Sequence, residues 1–326
     1  MGQYCVAVAP LINFTSDQSQ IDLGGGLRIR WMLEDEVKGA FPFLVRIEDV
    51  THVLELTQGP FEEAPKVFDR ERLKSVEAVF SNVISCLRLF KRGHVAYEFI
   101  EPRIENEKID ISSAELHDGS GEGIGFGVMP YEISADLPKF LEFWKVFSQT
   151  KQPSYMKRAL RRLNMGLEES DLEDRLLDYV SGLEAIFLWD DKELGYKLRM
   201  RAALFLGRGR SKKTVAEKLR EAYEVRSSIS HGSESKECSR KDLKRLNDII
   251  ETYLRQAIVG CLKLESMTGP FDPRSLDDVY LEAEDSGALA NSLLKSLEIR
   301  VCLFCGAAIE SHCAYCDACG RRQAPQ

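Results

Sequence analysis

Residues 223–232 have the sequence YEVRSSISHG, and this stretch decides how the chain is interpreted. It contains Arg226, a short polar run and His231 before Gly232, at the end of a segment with the pattern of an amphipathic helix. Arginine binds phosphate through a planar fork of N–H donors, and histidine gives and takes protons near neutral pH. A pair of this kind can cleave RNA without a metal ion.

The spacing between Arg226 and His231 limits how they act together. Five residues of α-helix turn by about 500°, which leaves the two positions roughly 140° apart around the axis. Either the helix relaxes at residues 228–230, or a second copy of the helix contributes across a two-fold interface. Gly232 favours a helix end, where a charged imidazole is stabilised.

Two further segments accompany the motif YxxRSxxxHG. Residues 178–187 have the sequence DYVSGLEAIF, and residues 194–199 have the sequence LGYKLR. With these segments, residues 150–265 resemble the Apea-like branch of the HEPN superfamily. The resemblance implies a helical bundle, a homodimer formed through the motif helices, and metal-independent endoribonuclease activity on RNA in prokaryotic defence or toxin-like growth control.

The resemblance also implies a catalytic role for each motif residue. His231 acts as general acid or base on the RNA 2′-hydroxyl or leaving oxygen, and Arg226 stabilises charge on the phosphate. Ser227 holds the geometry at a position where family members often carry Asn, Asp or His. Glu184 matches a recurring family glutamate. The alternatives are an interface ion pair and helix cap for Arg226 and His231, and a structural or surface role for Glu184.

The chain before the helical region predicts an α+β domain over residues 1–135. Residues 20–23 and 27–31 alternate apolar and polar side chains on either side of Gly24–Gly26, which indicates two strands and a break. Residues 70–92 have helical periodicity. From Asp136 to residue 267 the pattern is helical, with capping boxes predicted at Ser170, Thr214 and Ser239.

The end of the chain carries a different kind of signal. Residues 268–299 read as an acidic linker, and residues 300–322 contain two CxxCG segments. Paired cysteines on glycine turns present four thiolates tetrahedrally, so the sequence predicts a zinc ribbon with a closed, structural Zn²⁺ site. The predicted ligands are Cys302, Cys305, Cys316 and Cys319. Cys313 and His312 are additional candidates, and Cys313, which lies three residues before Cys316, is expected to remain free.

Charge and composition limit the partners that the chain can have. The net charge is −8 overall, but residues 1–150 carry −9 and residues 151–220 carry +5. Only the middle therefore has a charge that favours nucleic acid, and the alternative for this basic stretch is a solvated helix face. No apolar run reaches the roughly 20 residues that span a bilayer, and the start lacks a signal peptide, so we expect a cytoplasmic protein with no membrane partner.

The expected architecture is therefore an α+β N-terminal domain, an all-α HEPN-like bundle over residues 136–267, and a small C-terminal zinc ribbon. The N-terminal domain and the ribbon are candidate surfaces for a protein partner. Two functions compete with the nuclease: a non-catalytic scaffold that binds RNA or nucleotides, and an adaptor that acts through the zinc ribbon.

Overall fold

The chain divides into two compact units, Met1–Phe147 and Ser148–Gln326. A computed structural model describes residues 3–34, 36, 50–61, 70–97, 99–104, 107–108, 131–207, 211–231, 239–274 and 277. Among these residues, every helix is too short or too polar to cross a bilayer. A strand-rich unit is followed by a helical one, as the sequence predicts.

The first unit is built mainly from strands. Its described elements are β1 (Gln3–Ile12), β2 (Phe14–Thr15), β3 (Gln20–Gly24), β4 (Leu27–Trp31), β5 (His52–Phe61), α1 (Arg70–Phe90), β6 (Ala96–Tyr97), β7 (Glu101–Ile104), β8 (Glu107–Lys108), β9 (Tyr131–Glu132) and α2 (Leu137–Gln149). This composition confirms the predicted α+β class of the N-terminal region.

One antiparallel sheet organises this unit. Its strand order is β3–β4–β5–β1–β7–β8, and β6 pairs with the end of β1. The long strands β1 and β5 lie at the centre, where their register runs from Leu11 opposite His52 to Gln3 opposite Phe61. Strands β2 and β9 form a separate parallel pair.

The triple glycine connects β3 and β4, as the sequence predicts. Gly24, Gly25 and Gly26 all have positive φ angles, of 86°, 62° and 79°. Side chains disfavour this left-handed region, and glycine enters it at little cost. The three glycines therefore permit the tight reversal that sets Ile21 opposite Ile29.

A charged network joins three strands of the sheet. The Arg30 guanidinium donates to Glu55 Oε2 at 2.5 Å and to both oxygens of Glu36, at 2.7 and 2.8 Å. Arg103 donates to the same Glu36 at 2.7 Å and to Glu101 at 3.0 Å. Burial alone raises the pKa of Glu36, but its donors and the two arginine charges lower that pKa below its ordinary value.

Helix α2 packs within the strand-rich unit. The ring of Phe90 on α1 meets Phe140 and Phe143 of α2, with centroids 5.5 and 5.9 Å apart. Trp144 donates its indole N–H to the Leu23 carbonyl at 2.8 Å. The first unit therefore extends to Phe147, twelve residues beyond the domain boundary expected from the sequence.

The second unit consists of helices in its described part. They are α3 (Ser154–Glu168), α4 (Leu172–Phe187), α5 (Leu194–Leu206), α6 (Ser211–His231) and α7 (Arg240–Thr268). Helix α4 is central, because it packs against the other four.

Glycines allow two close approaches to α4. A Cβ added at Gly182 would lie 2.6 Å from Leu254 of α7, and one at Gly166 of α3 would overlap the ring of Tyr179. At such short distances a methyl group would fit only if the Leu254 side chain or the Tyr179 ring shifted.

The predicted helix starts agree with the structure to different degrees. Ser239 caps α7, with its hydroxyl accepting from the Asp242 N–H at 3.2 Å. At α4 the cap is Asp171, one residue after the predicted Ser170, and its carboxylate accepts from the Glu173 N–H at 2.7 Å. The prediction at Thr214 is wrong, because α6 already begins at Ser211 and Thr214 lies inside it.

Buried His52 predicts a pH-dependent stability of the first unit. It is 1% exposed, packs edge-on against Phe14, and shares a 2.7 Å hydrogen bond with the Thr51 hydroxyl. Burial lowers the pKa of His52 below its ordinary value of 6.5. Above pH 6.5 the folded and unfolded states are both neutral here. As pH falls below 6.5 the unfolded state takes up a proton first, so stability is lost.

We therefore expect the free energy of unfolding to fall more gently between pH 7 and pH 5 in His52→Phe than in wild type. Urea titrations at each pH measure this slope. Thr51→Val is the control, because it removes the hydrogen bond and keeps the imidazole, so it should retain the wild-type slope. Parallel slopes in wild type and His52→Phe would contradict the assignment.

Candidate functional site

Helix α6 carries the motif residues without a break. It is α-helical from Ser211 to His231, and so includes residues 228–230, where a local relaxation was one of two expectations. The Ser228 hydroxyl donates to the Glu224 carbonyl at 3.1 Å, which leaves the helix intact. Positions 226 and 231 therefore lie on different sides of one regular helix, roughly 140° apart.

Arg226 lies where three helices meet. Its Nη2 is 3.5 Å from Glu184 Oε2 on α4, and its guanidinium carbon is 5.7 Å from the centre of the Tyr223 ring. That ring packs on Gly195 in the first turn of α5, where an added Cβ would lie 2.8 Å from ring carbon Cε1. We call these four residues, Glu184, Gly195, Tyr223 and Arg226, the helix junction.

The helix junction is partly accessible to solvent and its ion pair is loose. The Arg226 side chain is 30% exposed and that of Glu184 is 19% exposed. A charge-assisted N–H···O bond is normally 2.7–2.9 Å long, so a 3.5 Å contact is weak. An arginine has five N–H donors, and Glu184 engages one nitrogen of Arg226. Among the described residues the guanidinium therefore retains donors suited to an oxyanion such as phosphate.

Burial sets the electrostatics of Glu184. Burial raises the pKa of its carboxyl group above the ordinary value, and the positive charge of Arg226 offsets part of that rise. Keeping a partly buried carboxylate charged costs desolvation free energy, so the ion pair that orients Arg226 carries this cost.

Arg201 fixes the connection between α4 and α5. It is 7% exposed, donates to the Phe187 carbonyl at 3.0 Å and to Asp190 at 2.7 Å, and stacks 3.7 Å from the Trp189 ring centre. It also binds both oxygens of Asp277, at 3.0 and 2.7 Å.

Sequence reasoning missed the role of Arg201. The available signal is an arginine on the α5 face that also buries the apolar side chains of Leu198, Ala202 and Phe205. A charged side chain at such a position needs partners, because burying it unpaired is costly.

For the other two predicted catalytic residues, Ser227 and His231, the structure gives fewer contacts. Ser227 is half-buried next to Arg226 on α6. For His231 the structure describes the backbone, as the last residue of α6, and the side chain lies outside the description. The structure thus brings Glu184 and Arg226 together, while the contacts of the histidine ring stay a prediction.

The predicted zinc ligands Cys302, Cys305, Cys316 and Cys319, with Cys313 and His312, lie outside the described residues. Within the described ranges, no group of three or more His, Cys, Asp or Glu side chains is placed to hold a metal ion. Cys86 is fully buried in α1, and burial raises the pKa of its thiol.

Comparison of the chain with protein-family models, curated proteins and solved structures gives no significant match. The residues of the helix junction and the motif on α6 therefore carry the functional argument.

The raised pKa of Glu184 predicts how its replacement changes stability with pH. Below its ordinary value of 4.5 the carboxyl group is protonated in both states, and its favourable contribution is lost as pH rises through the raised folded pKa. Glutamine does not titrate. The difference in unfolding free energy, wild type minus Glu184→Gln, should therefore decrease from pH 4 to pH 8, as measured by chemical denaturation.

Arg226→Met provides the matched test. Arg226 is the group that lowers the pKa of Glu184, so its removal should move the loss of stability to higher pH. A difference between wild type and Glu184→Gln that increases with pH would show that attraction to Arg226, rather than burial, dominates at this carboxylate.

Proposed function

We propose that this chain is a metal-independent endoribonuclease of the HEPN type that acts through Arg226 and His231. The observation that supports it best is the partly exposed, loosely paired Arg226, held by three helices five residues before His231 on an unbroken helix. The +5 charge of residues 151–220 favours a polyanionic substrate. The proposed setting is prokaryotic defence or growth control in the cytoplasm.

The proposed reaction uses the RNA's own 2′-hydroxyl as the nucleophile. His231 takes the proton from the 2′-oxygen, which attacks the adjacent phosphorus, or gives a proton to the departing 5′-oxygen. Arg226 donates to the non-bridging oxygens, where negative charge builds up in the transition state. The products are a 2′,3′-cyclic phosphate and a 5′-hydroxyl end. Glu184 orients Arg226, and Ser227 supports the local geometry.

The geometry of α6 favours a site shared between two chains. Positions 226 and 231 are roughly 140° apart on a regular helix, so one helix presents them poorly to a single phosphate. In a two-fold dimer built through α6, the arginine of one chain and the histidine of the other face the same substrate. The proposed active form is therefore a homodimer.

The direct test compares wild type, Arg226→Ala and His231→Ala on total RNA in EDTA. Wild type should produce fragments with 2′,3′-cyclic phosphate ends, and each variant should cleave at least about 100-fold more slowly, because general acid–base catalysis and charge stabilisation each contribute that much. Arg220→Ala, an exposed position on the same helix, is the control and should retain activity. Equal cleavage by wild type and His231→Ala would overturn the proposal, as would no cleavage by wild type.

Mixed dimers test the shared site separately. Co-expressed Arg226→Ala and His231→Ala chains form heterodimers in which one site has both an intact arginine and an intact histidine. Purified through two tags, these heterodimers should recover part of the cleavage that either homodimer lacks. Inactive heterodimers would restrict each site to one chain while leaving the nuclease assignment intact.

The ion pair between Arg226 and Glu184 also favours a second function, an RNA- or nucleotide-binding scaffold without catalysis. A structural ion pair needs no histidine, and an oriented guanidinium binds phosphate in either case. The scaffold predicts RNA binding by wild type that Arg226→Ala weakens and His231→Ala leaves unchanged, with no cleavage. The same set of variants therefore separates the two functions.

We further propose that Cys302, Cys305, Cys316 and Cys319 hold a structural Zn²⁺ ion as a ribbon. Four thiolates fill a tetrahedral zinc site and leave no open position for catalysis. Purified protein should contain one zinc per chain by elemental analysis. Cys302→Ser and Cys319→Ser should lose most of it, whereas Cys313→Ser should keep it. Equal zinc loss in Cys313→Ser would change the ligand set.

A further inference from the structure

An exposed aromatic side chain lies beside the helix junction and has no role in the reaction described above. Tyr196, in the first turn of α5, is 53% exposed. Arg199, one turn further along, lies with its guanidinium carbon 5.1 Å from the centre of the Tyr196 ring. A solvent-exposed tyrosine of this kind offers a flat surface for stacking.

The position of Tyr196 connects it directly to the candidate site. Its chain neighbour Gly195 contacts the ring of Tyr223, and Arg226 lies 5.7 Å from the centre of that same ring. Consecutive Cα atoms are about 3.8 Å apart, so the backbone of Tyr196 lies close to the Tyr223 ring that Arg226 also approaches. The exposed side chain of Tyr196 therefore leaves the chain at a backbone position adjoining the helix junction.

The charges around Tyr196 favour a nucleic acid. The Arg199 guanidinium has the tyrosine ring as its partner, and no described carboxylate forms an ion pair with it, whereas Arg201 on the same helix binds both Asp190 and Asp277. An arginine that stacks on an aromatic ring keeps its N–H donors available for phosphate. Tyr196 and Arg199 thus pair a stacking surface with a cation.

We propose that Tyr196 and Arg199 form a base-stacking subsite for single-stranded RNA next to Arg226. The subsite rests on the proposed function for its substrate. One base stacks on the open face of the Tyr196 ring, and Arg199 binds an adjacent phosphate. Only an unpaired, splayed base can reach such a ring, so the subsite selects single-stranded segments over duplex RNA.

The test uses the full chain and a short single-stranded RNA whose 2′-hydroxyls are methylated, which removes the nucleophile and prevents cleavage during binding. Fluorescence anisotropy measures the affinity, and a 2-aminopurine base reports stacking. Tyr196→Ala should weaken binding at least about fivefold and abolish the quenching of 2-aminopurine, because stacking on an aromatic contributes about 1–3 kcal/mol per base. Tyr196→Phe should retain both, since the ring stacks without its hydroxyl.

Met200→Ala is the matched control, because Met200 is 39% exposed on the same helix and lacks a ring. It should bind like wild type. A fully paired duplex of the same methylated strand should bind Tyr196→Ala and wild type equally. Unchanged single-strand affinity in Tyr196→Ala would overturn the subsite, and so would a wild-type protein that binds no single-stranded RNA.

The outcomes separate the subsite from the nuclease. If wild type cleaves RNA and Tyr196→Ala keeps both the affinity and the KM, the subsite is wrong and the nuclease stands. If wild type binds the methylated RNA with quenching but cleaves nothing, and Tyr196→Ala loses that binding, the nuclease is wrong and the subsite stands.

Discussion

The geometry of the candidate site in the helical unit depends on the contacts of one buried side chain, the guanidinium of Arg201. It donates hydrogen bonds to the Phe187 carbonyl at the end of α4, to Asp190 in the following loop and to Asp277 beyond α7. It also stacks on the Trp189 ring. Burying a charge is costly unless its donors are satisfied, and here carboxylates and a carbonyl satisfy them. The end of α4 and the start of α5 are thereby held in one arrangement, and these are the segments that carry Glu184 and Gly195.

Side-chain packing then connects the start of α5 to Tyr223 and Arg226 on α6. Gly195 lets α5 approach the Tyr223 ring closely, and the ring in turn supports the guanidinium of Arg226. Glu184 orients the Arg226 side chain but stabilises it little, because their contact is long and burial disfavours the charged form of Glu184. The helix junction is thus closely packed at Gly195 and Tyr223, whereas the ion pair between Arg226 and Glu184 is long and weak.

Local features of the fold were predictable from the sequence, whereas pairings across long separations were not. The glycines at 24–26 and the cap at Ser239 act within a few residues, so spacing alone reveals them. The contact of Arg201 with Asp277 joins positions 76 residues apart, and that of Arg226 with Glu184 joins positions 42 apart. Periodicity shows that α2 has an apolar face, but it does not show which unit receives that face. The family resemblance marked both Arg226 and Glu184, and the structure adds that their side chains form an ion pair.

Because α6 is continuous, the proposed RNA cleavage would depend on the concentration of the chain. If Arg226 and His231 meet only between two copies of this helix, isolated chains are silent. At concentrations below the dimer dissociation constant, the number of working sites then grows with the square of the chain concentration. Doubling the chain concentration would then give about four times as many working sites, and halving it would leave about a quarter of them. An unbroken helix would in this way make RNA cleavage depend steeply on the abundance of the chain.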